Sequence, residues 1–124
     1  MTYNWEDKTI VIVEDNDVNY LLLKKQLRKT KATIAWLKNG LDSVNYIKDK
    51  KPADIVLMDV RMPIMDGIEA TKLIKEILPD LPIIMQTACV IGSDYEDVKS
   101  SGCEDYIFKP IISADLLEKI KTYI

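Results

Sequence analysis

The chain has 124 residues, 48% hydrophobic and 30% charged, which suits one globular domain of 1–124 with a buried core and excludes a disordered or low-complexity polymer. Its 17 basic residues against 20 acidic ones leave a net charge of −3, so it has no electrostatic footprint for direct nucleic acid binding. There is no histidine, which excludes Ser-His and Cys-His nucleophilic catalysis and most zinc sites, leaving carboxylates, hydroxyls, lysine and a hard metal ion as the available chemistry.

Short apolar and β-branched runs alternate along the chain with stretches of helical period. Thr9–Glu14 is the first predicted strand, and its run Ile10-Val-Ile-Val13 is apolar on both faces, as a central strand of a parallel sheet is. A helix follows, with Val18, Leu21, Leu22 and Leu27 as its apolar stripe. Thr33–Leu37 is more mixed and suits an edge strand. The next helix carries Leu41, Val44 and Ile47. Ile55–Met58 is again apolar on both faces. Asp66 then stands as N-cap, with Glu69 three residues later, ahead of the stripe Ala70, Leu73, Ile74 and Ile77. Ile83–Gln86 is the fourth strand. The stretch after Gly92 has a capping pair, Ser93 and Glu96, and stops at Gly102, but its apolar face is only Tyr95 and Val98, so a weakly anchored helix is expected. Asp105–Phe108 is the fifth strand, and Leu116, Leu117, Ile120, Tyr123 and Ile124 form the last stripe behind Ser113. Five strands alternating with five helices imply an α/β fold with a parallel sheet covered on both faces. The chain ends with the fifth helix, so no output domain is expected.

No apolar run approaches the roughly 18 residues that span a bilayer, and Met1 to Lys8 is too polar for a secretory signal. Cys89 and Cys103 have no metal spacing and cannot make a disulfide framework, which fits reduced thiols in a cytoplasmic protein without membrane attachment.

Ligands of open α/β sheets bind beyond the carboxyl ends of the strands. There the first strand offers Glu14-Asp15-Asn16, the third Asp59, the fourth Thr87-Ala88 and the fifth Lys109-Pro110. Three crowded carboxylates repel one another, by about 3 kcal/mol per pair at roughly 5 Å and an effective dielectric of about 20. A divalent cation relieves this, and an all-oxygen site with few protein ligands suits Mg²⁺. Conversion of Asp59 to an acyl phosphate would add negative charge and oxygen acceptors, which Thr87 and Lys109 can meet. Singly, each of these residues is better read as a turn, a cap or a surface charge, and Tyr106 as a packing aromatic. Their coincidence at four strand ends is what points to chemistry.

The blocks Val13-Glu-Asp-Asn16, Leu57-Met-Asp-Val-Arg-Met-Pro-Ile-Met-Asp-Gly67, Thr87-Ala88 and Tyr106-Ile-Phe-Lys-Pro110 resemble the motifs of CheY-like response-regulator receiver domains of two-component phosphorelays. The resemblance runs from about Lys8 to Ile124. It implies a flavodoxin-like (βα)5 sheet of strand order 2-1-3-4-5. It makes Asp59 the phosphoacceptor, Asp15 and Asp59 direct Mg²⁺ ligands, the Arg61 backbone carbonyl a further ligand and Glu14 a ligand through water. Thr87 and Lys109 would bind phosphoryl oxygens, the Lys109–Pro110 peptide bond would be cis, and Tyr106 would be the switch aromatic. Arg61 and Cys89 stand where the family tunes phosphoryl lifetime.

The implied function is acceptance of a phosphoryl group from a partner phosphohistidine, on a sensor histidine kinase or a histidine phosphotransfer protein. The readout to a downstream effector would pass through the fourth-helix, fifth-strand, fifth-helix face, where homodimerisation is also open. This is a switch with at most slow autophosphorylation and autodephosphorylation rather than a conventional enzyme. The run Met62-Pro-Ile-Met-Asp-Gly-Ile-Glu-Ala-Thr71 is similar to receivers of hybrid histidine kinases. Three rivals stand beside it. A flavin or nucleotide binder would need a phosphate-cradling loop where Glu14-Asp15-Asn16-Asp17 repels phosphate. An aspartate-nucleophile phosphatase would need an acid at position 61, which is Arg. A phosphorylation-independent interaction module of the same fold is the third.

Overall fold

The structure, a computed structural model, describes residues 3–88 and 93–124. Its elements run β1 (Thr9–Val13), α1 (Asp17–Leu27), β2 (Thr33–Leu37), α2 (Gly40–Lys48), β3 (Ile55–Asp59), α3 (Gly67–Ile77), β4 (Ile83–Thr87), α4 (Ser93–Ser100), β5 (Asp105–Phe108) and α5 (Ser113–Tyr123), with a short 3-10 turn, Arg28–Thr30, closing α1. The five strands form one parallel sheet in the order β2-β1-β3-β4-β5, the flavodoxin-like order that the resemblance implies.

Strand periodicity divides the core between the two faces of the sheet. Val11, Val13, Val56, Met58, Ile83 and Met85 pack against Val44 and Ile47 of α2, Ala70 and Ile74 of α3, and Val98 of α4. Ile10, Ile12, Ile55, Leu57, Ile84 and Ile107 pack against Tyr20, Leu23 and Leu27 of α1 and Leu116 and Ile120 of α5, with Trp5 closing that side. All five residues of β3 and of β4 are buried, which is why these strands read as continuous apolar runs. β2 is the mixed edge that its sequence suggests.

Strands β3 and β4 each run one residue further than predicted, taking in Asp59 and Thr87, while β1 stops at Val13 and leaves Glu14 just beyond it. Of the apolar stripe expected on α1, Leu27 is buried but the other three residues face outward: Val18, Leu21 and Leu22 are 64%, 59% and 54% exposed. The buried side chains are Tyr20, Leu23 and Leu27, spaced i, i+3, i+7. A helix carrying Tyr20-Leu-Leu-Leu23 can satisfy two stripes. The stack of Tyr20 on Trp36 of β2, ring centroids 3.8 Å apart and 3° from parallel, selects between them. On α2 and α3, Leu41 and Ile77 likewise lie more than a third exposed, at the rims of their stripes. Ser113 is the first residue of α5, and Ile112 stands at its N-cap without a side-chain hydrogen bond.

Asp66 caps α3 as predicted, accepting from the Glu69 amide at 2.9 Å. The cap expected from Ser93 lies outside the described side chains. At the sheet end away from Asp59, Lys75 Nζ donates to the Leu81 carbonyl at 2.7 Å and to the Glu104 carboxylate. The second oxygen of Glu104 accepts from the Ile83 amide at 2.8 Å, tying α3, β4 and the start of β5 together. Among the described residues no helix is long and apolar enough to cross a membrane.

Candidate functional site

Parallel strands all present their carboxyl ends to one side, so the residues that follow β1, β3, β4 and β5 meet there. Carboxylate oxygens of Glu14, Asp15 and Asp59 lie within 4.8 Å of one another. Asp59, the last residue of β3, is 6% exposed, and its Oδ1 accepts from Lys109 Nζ at 3.0 Å. Lys109 follows β5; its amide donates to the Thr87 carbonyl at 2.9 Å, and the Lys109–Pro110 peptide bond is cis. Thr87 ends β4 and is buried.

Glu14 is fully buried. Its Oε2 accepts from the Asn16 amide at 3.2 Å, while Oε1 has no hydrogen-bond partner among the described residues and lies 3.9 Å from Lys109 Nζ. Burial, and after it the nearby Asp59 charge, push the Glu14 carboxyl up to about 7. One ammonium therefore serves two buried carboxylates, with the exposed Asp15 beside them. A buried acceptor without a donor, in a group of three converging carboxylates, offers oxygen ligands that fit a hard divalent cation.

The loop after Asp59 carries the rest of this wall. Asp15, Arg61, Met62, Pro63, Met65 and Asp66 line an open, largely polar depression next to the acid cluster. Arg61 is exposed and stands two residues beyond Asp59. Ile64 has φ 70° and is 77% exposed, at the tip of a tight turn in which the Met65 amide donates to the Pro63 carbonyl at 2.7 Å.

On the other wall, Tyr106 of β5 is half-buried. Its hydroxyl lies 3.0 Å from that of Tyr95 on α4, the two rings edge-to-face with centroids 5.6 Å apart. The hydrogen bond to Tyr95, more than burial, raises the Tyr106 phenol above its ordinary value. Phe108 completes this aromatic cluster. Cys89 lies outside the described residues. Cys103 is a partly buried free thiol whose pKa burial pushes up.

Three residues of the site escaped the sequence reading. Gly67, which opens α3, is pressed against the Asp59 backbone: a Cβ there would sit 1.9 Å from the Asp59 carbonyl oxygen. Its amide donates to the Val60 carbonyl at 2.8 Å. Gln86 pairs in register with Asp59 and is 1% exposed, with no hydrogen-bond partner for its amide nitrogen among the described residues. A polar residue inside the run Ile83-Ile-Met-Gln86 was the available signal for it. Trp36 of β2 donates its indole N–H to the Glu14 carbonyl at 2.8 Å, and only its place next to the last residue of an edge strand hinted at that.

Comparison with known proteins agrees with this geometry. The profile of the response regulator receiver domain matches residues 10–121. The polar-differentiation response regulator DivK of Brucella anthropi is 34% identical over 119 residues, covering 94% of this chain and 96% of that protein. Among solved structures, the receiver domain of a sensor histidine kinase from Pseudomonas aeruginosa PAO1, with a magnesium ion coordinated in its active site cleft, superposes with TM-score 0.87 at 30% identity over 94% of this chain and 96% of that one. The receiver domain of the Saccharomyces cerevisiae response regulator Ssk1, crystallised with the histidine phosphotransfer protein Ypd1, gives TM-score 0.86 at 30% identity over 99% and 91% of the two chains.

Proposed function

This chain belongs to the response regulator receiver domain family of two-component signal transduction, and from that premise we propose that Asp59 accepts a phosphoryl group from a phosphohistidine on a sensor histidine kinase or a histidine phosphotransfer protein. The observation that carries the proposal is the buried Asp59 carboxylate, held on one oxygen by Lys109 Nζ at 3.0 Å and bordered by Glu14 and Asp15. A carboxylate so placed keeps its second oxygen for attack on phosphorus. A phosphorus–oxygen bond forms as the phosphorus–nitrogen bond to the donor imidazole breaks; the bonding pair goes to that nitrogen, and a proton on the ring's other nitrogen lets the donor leave as neutral imidazole.

Asp15 and Asp59, the Arg61 backbone carbonyl and, through water, Glu14 would hold Mg²⁺, which supplies charge neutralisation at the transferring oxygens when bound. Lys109 offsets the charge that the acyl phosphate adds, and the Thr87 hydroxyl donates to one of its oxygens. On α1, Val18 and Leu22 share one exposed face, and Leu22 reaches the cleft beside Lys109, Pro110 and Ile111. An apolar rim at the mouth of a charged site suits a protein donor.

Occupancy is then read out by Thr87 and Tyr106 toward the face of α4, β5 and α5, where an effector or a second copy docks. Arg61 and Cys89 set the lifetime of the phosphoryl group. The chain acts as a switch, with at most slow loss of the phosphoryl group to water. The test is intact mass after incubation with a small phosphodonor, with and without Mg²⁺, beside Asp59→Asn. One Mg²⁺-dependent phosphoryl group, absent from the variant, is expected. Failure with both a small donor and a phosphohistidine protein would leave an interaction module that works without phosphorylation. Exchanging Arg61→Asn and Cys89→Glu should change the dephosphorylation rate, and an unchanged rate would remove both from the lifetime role.

A further inference from the structure

We propose that Trp36 is a positioning residue for the acid cluster, orienting the Glu14–Asp15 peptide through its indole hydrogen bond. The inference rests on the metal reading given above and concerns how this chain prepares the ligands. Glu14 is the first residue beyond β1, where the regular ladder with β2 ends at the pair Val13 and Leu37. The Glu14 amide still bonds to the Leu37 carbonyl at 2.9 Å. Its own carbonyl is taken by a side chain: Trp36 Nε1 donates to it at 2.8 Å.

A peptide unit is planar, so the direction of the Glu14 carbonyl fixes the plane that contains the Asp15 nitrogen and Cα. Asp15 is the exposed member of the carboxylate trio and starts from that plane. The indole can act as a fixed donor because it is itself immobilised. Tyr20 stacks on it at 3.8 Å and 3°, and the Lys38 ammonium lies 4.7 Å from its ring centroid, with Lys38 also 3.5 Å from Asp17. The Asp15 side of the site is thus braced from the sheet edge by one aromatic pair, while Asp59 is braced through its strand.

Brace and ligand are linked, so cation binding at Asp15 must be felt at the indole N–H. The test is a Mg²⁺ titration of the full chain followed by calorimetry and by the two indole N–H resonances, Trp5 serving as internal control. Trp36 should shift saturably with the calorimetric Kd while Trp5 stays still. Trp36→Phe, which keeps a ring against Tyr20 but loses the donor, should weaken Mg²⁺ binding about fivefold, as loss of one ordinary hydrogen bond does. Calorimetric binding with a silent Trp36 resonance, or an unchanged Kd in Trp36→Phe, would overturn the inference. If that variant does not fold, the wild-type resonance, assigned through its contacts with the Tyr20 ring, decides alone. Absence of any Mg²⁺ heat would overturn the metal reading itself, and the inference with it.

Discussion

Helices α3 and α4 flank the same end of the sheet and are anchored in opposite ways. α3 buries Ala70, Thr71 and Ile74, is capped by Asp66, and presses Gly67 onto the Asp59 backbone. α4 has one fully buried apolar side chain among those described, Val98, supported by the half-buried Tyr95 and by Ser101, whose hydroxyl donates to the Val98 carbonyl at 2.6 Å. The first helix adjoins Asp59, and the second adjoins the aromatic cluster around Tyr106. Under the proposed function, placing Asp59 for attack requires contacts fixed to tenths of an ångström, and reporting its occupancy requires an element whose alternative packings differ by little free energy.

The sharpest way to break this contrast is Gly67→Ala. A Cβ 1.9 Å from a backbone oxygen forces α3 off β3, and a loss of about 3 kcal/mol or more is expected by denaturant unfolding. An exposed change on α4, Glu96→Ala, should stay within about 0.5 kcal/mol. Equal effects would erase the distinction.

A second prediction concerns charge in the α3 half. Glu14 is raised to about 7 from an ordinary 4.5, so the folded state holds its proton more tightly than the unfolded chain. Its contribution is complete below about pH 4.5 and fades as pH rises through about 7, amounting to about 3 kcal/mol in chelator-treated protein. Glu14→Gln should flatten that part of the pH–stability curve, and Mg²⁺ should restore more stability at pH 8 in the native sequence than in the variant. A curve unaltered by the substitution would show that Glu14 carries no such strain.

Ile64→Gly offers a smaller effect in the same half. The β-branched residue sits at φ 70° and is largely exposed, so relief of the left-handed strain outweighs glycine's entropy by about 1 kcal/mol. Stability that fell instead would mean the Ile64 side chain packs usefully. The mildest change is Tyr95→Phe in the α4 half, which should leave global stability nearly unchanged. The Tyr106 phenol should then ionise at lower pH, because the lost hydroxyl is the main cause of its raised value. Amides of α4 should also exchange faster, while those of α3 do not change.

The sequence by itself determined the alternation of strands and helices, the central place of β1 and β3, and the meeting of Glu14, Asp15, Asp59, Thr87 and Lys109. Local pattern suffices for these, because continuous apolar runs mark strands buried on both faces and a parallel sheet sends every strand end to one side. The thin apolar face of α4 was equally legible, since only Tyr95 and Val98 were available to bury. What the tertiary structure decided depends on partners far apart in the chain. Four consecutive residues, Tyr20-Leu-Leu-Leu23, leave two helical phases open, and Trp36 on another element chose the one that turns Leu21 and Leu22 outward. The same indole's hold on the Glu14 carbonyl, and the pressure of Gly67 on Asp59, are contacts between elements. Periodicity encodes which face of an element is apolar, but the distance between two faces is fixed only when the whole core closes.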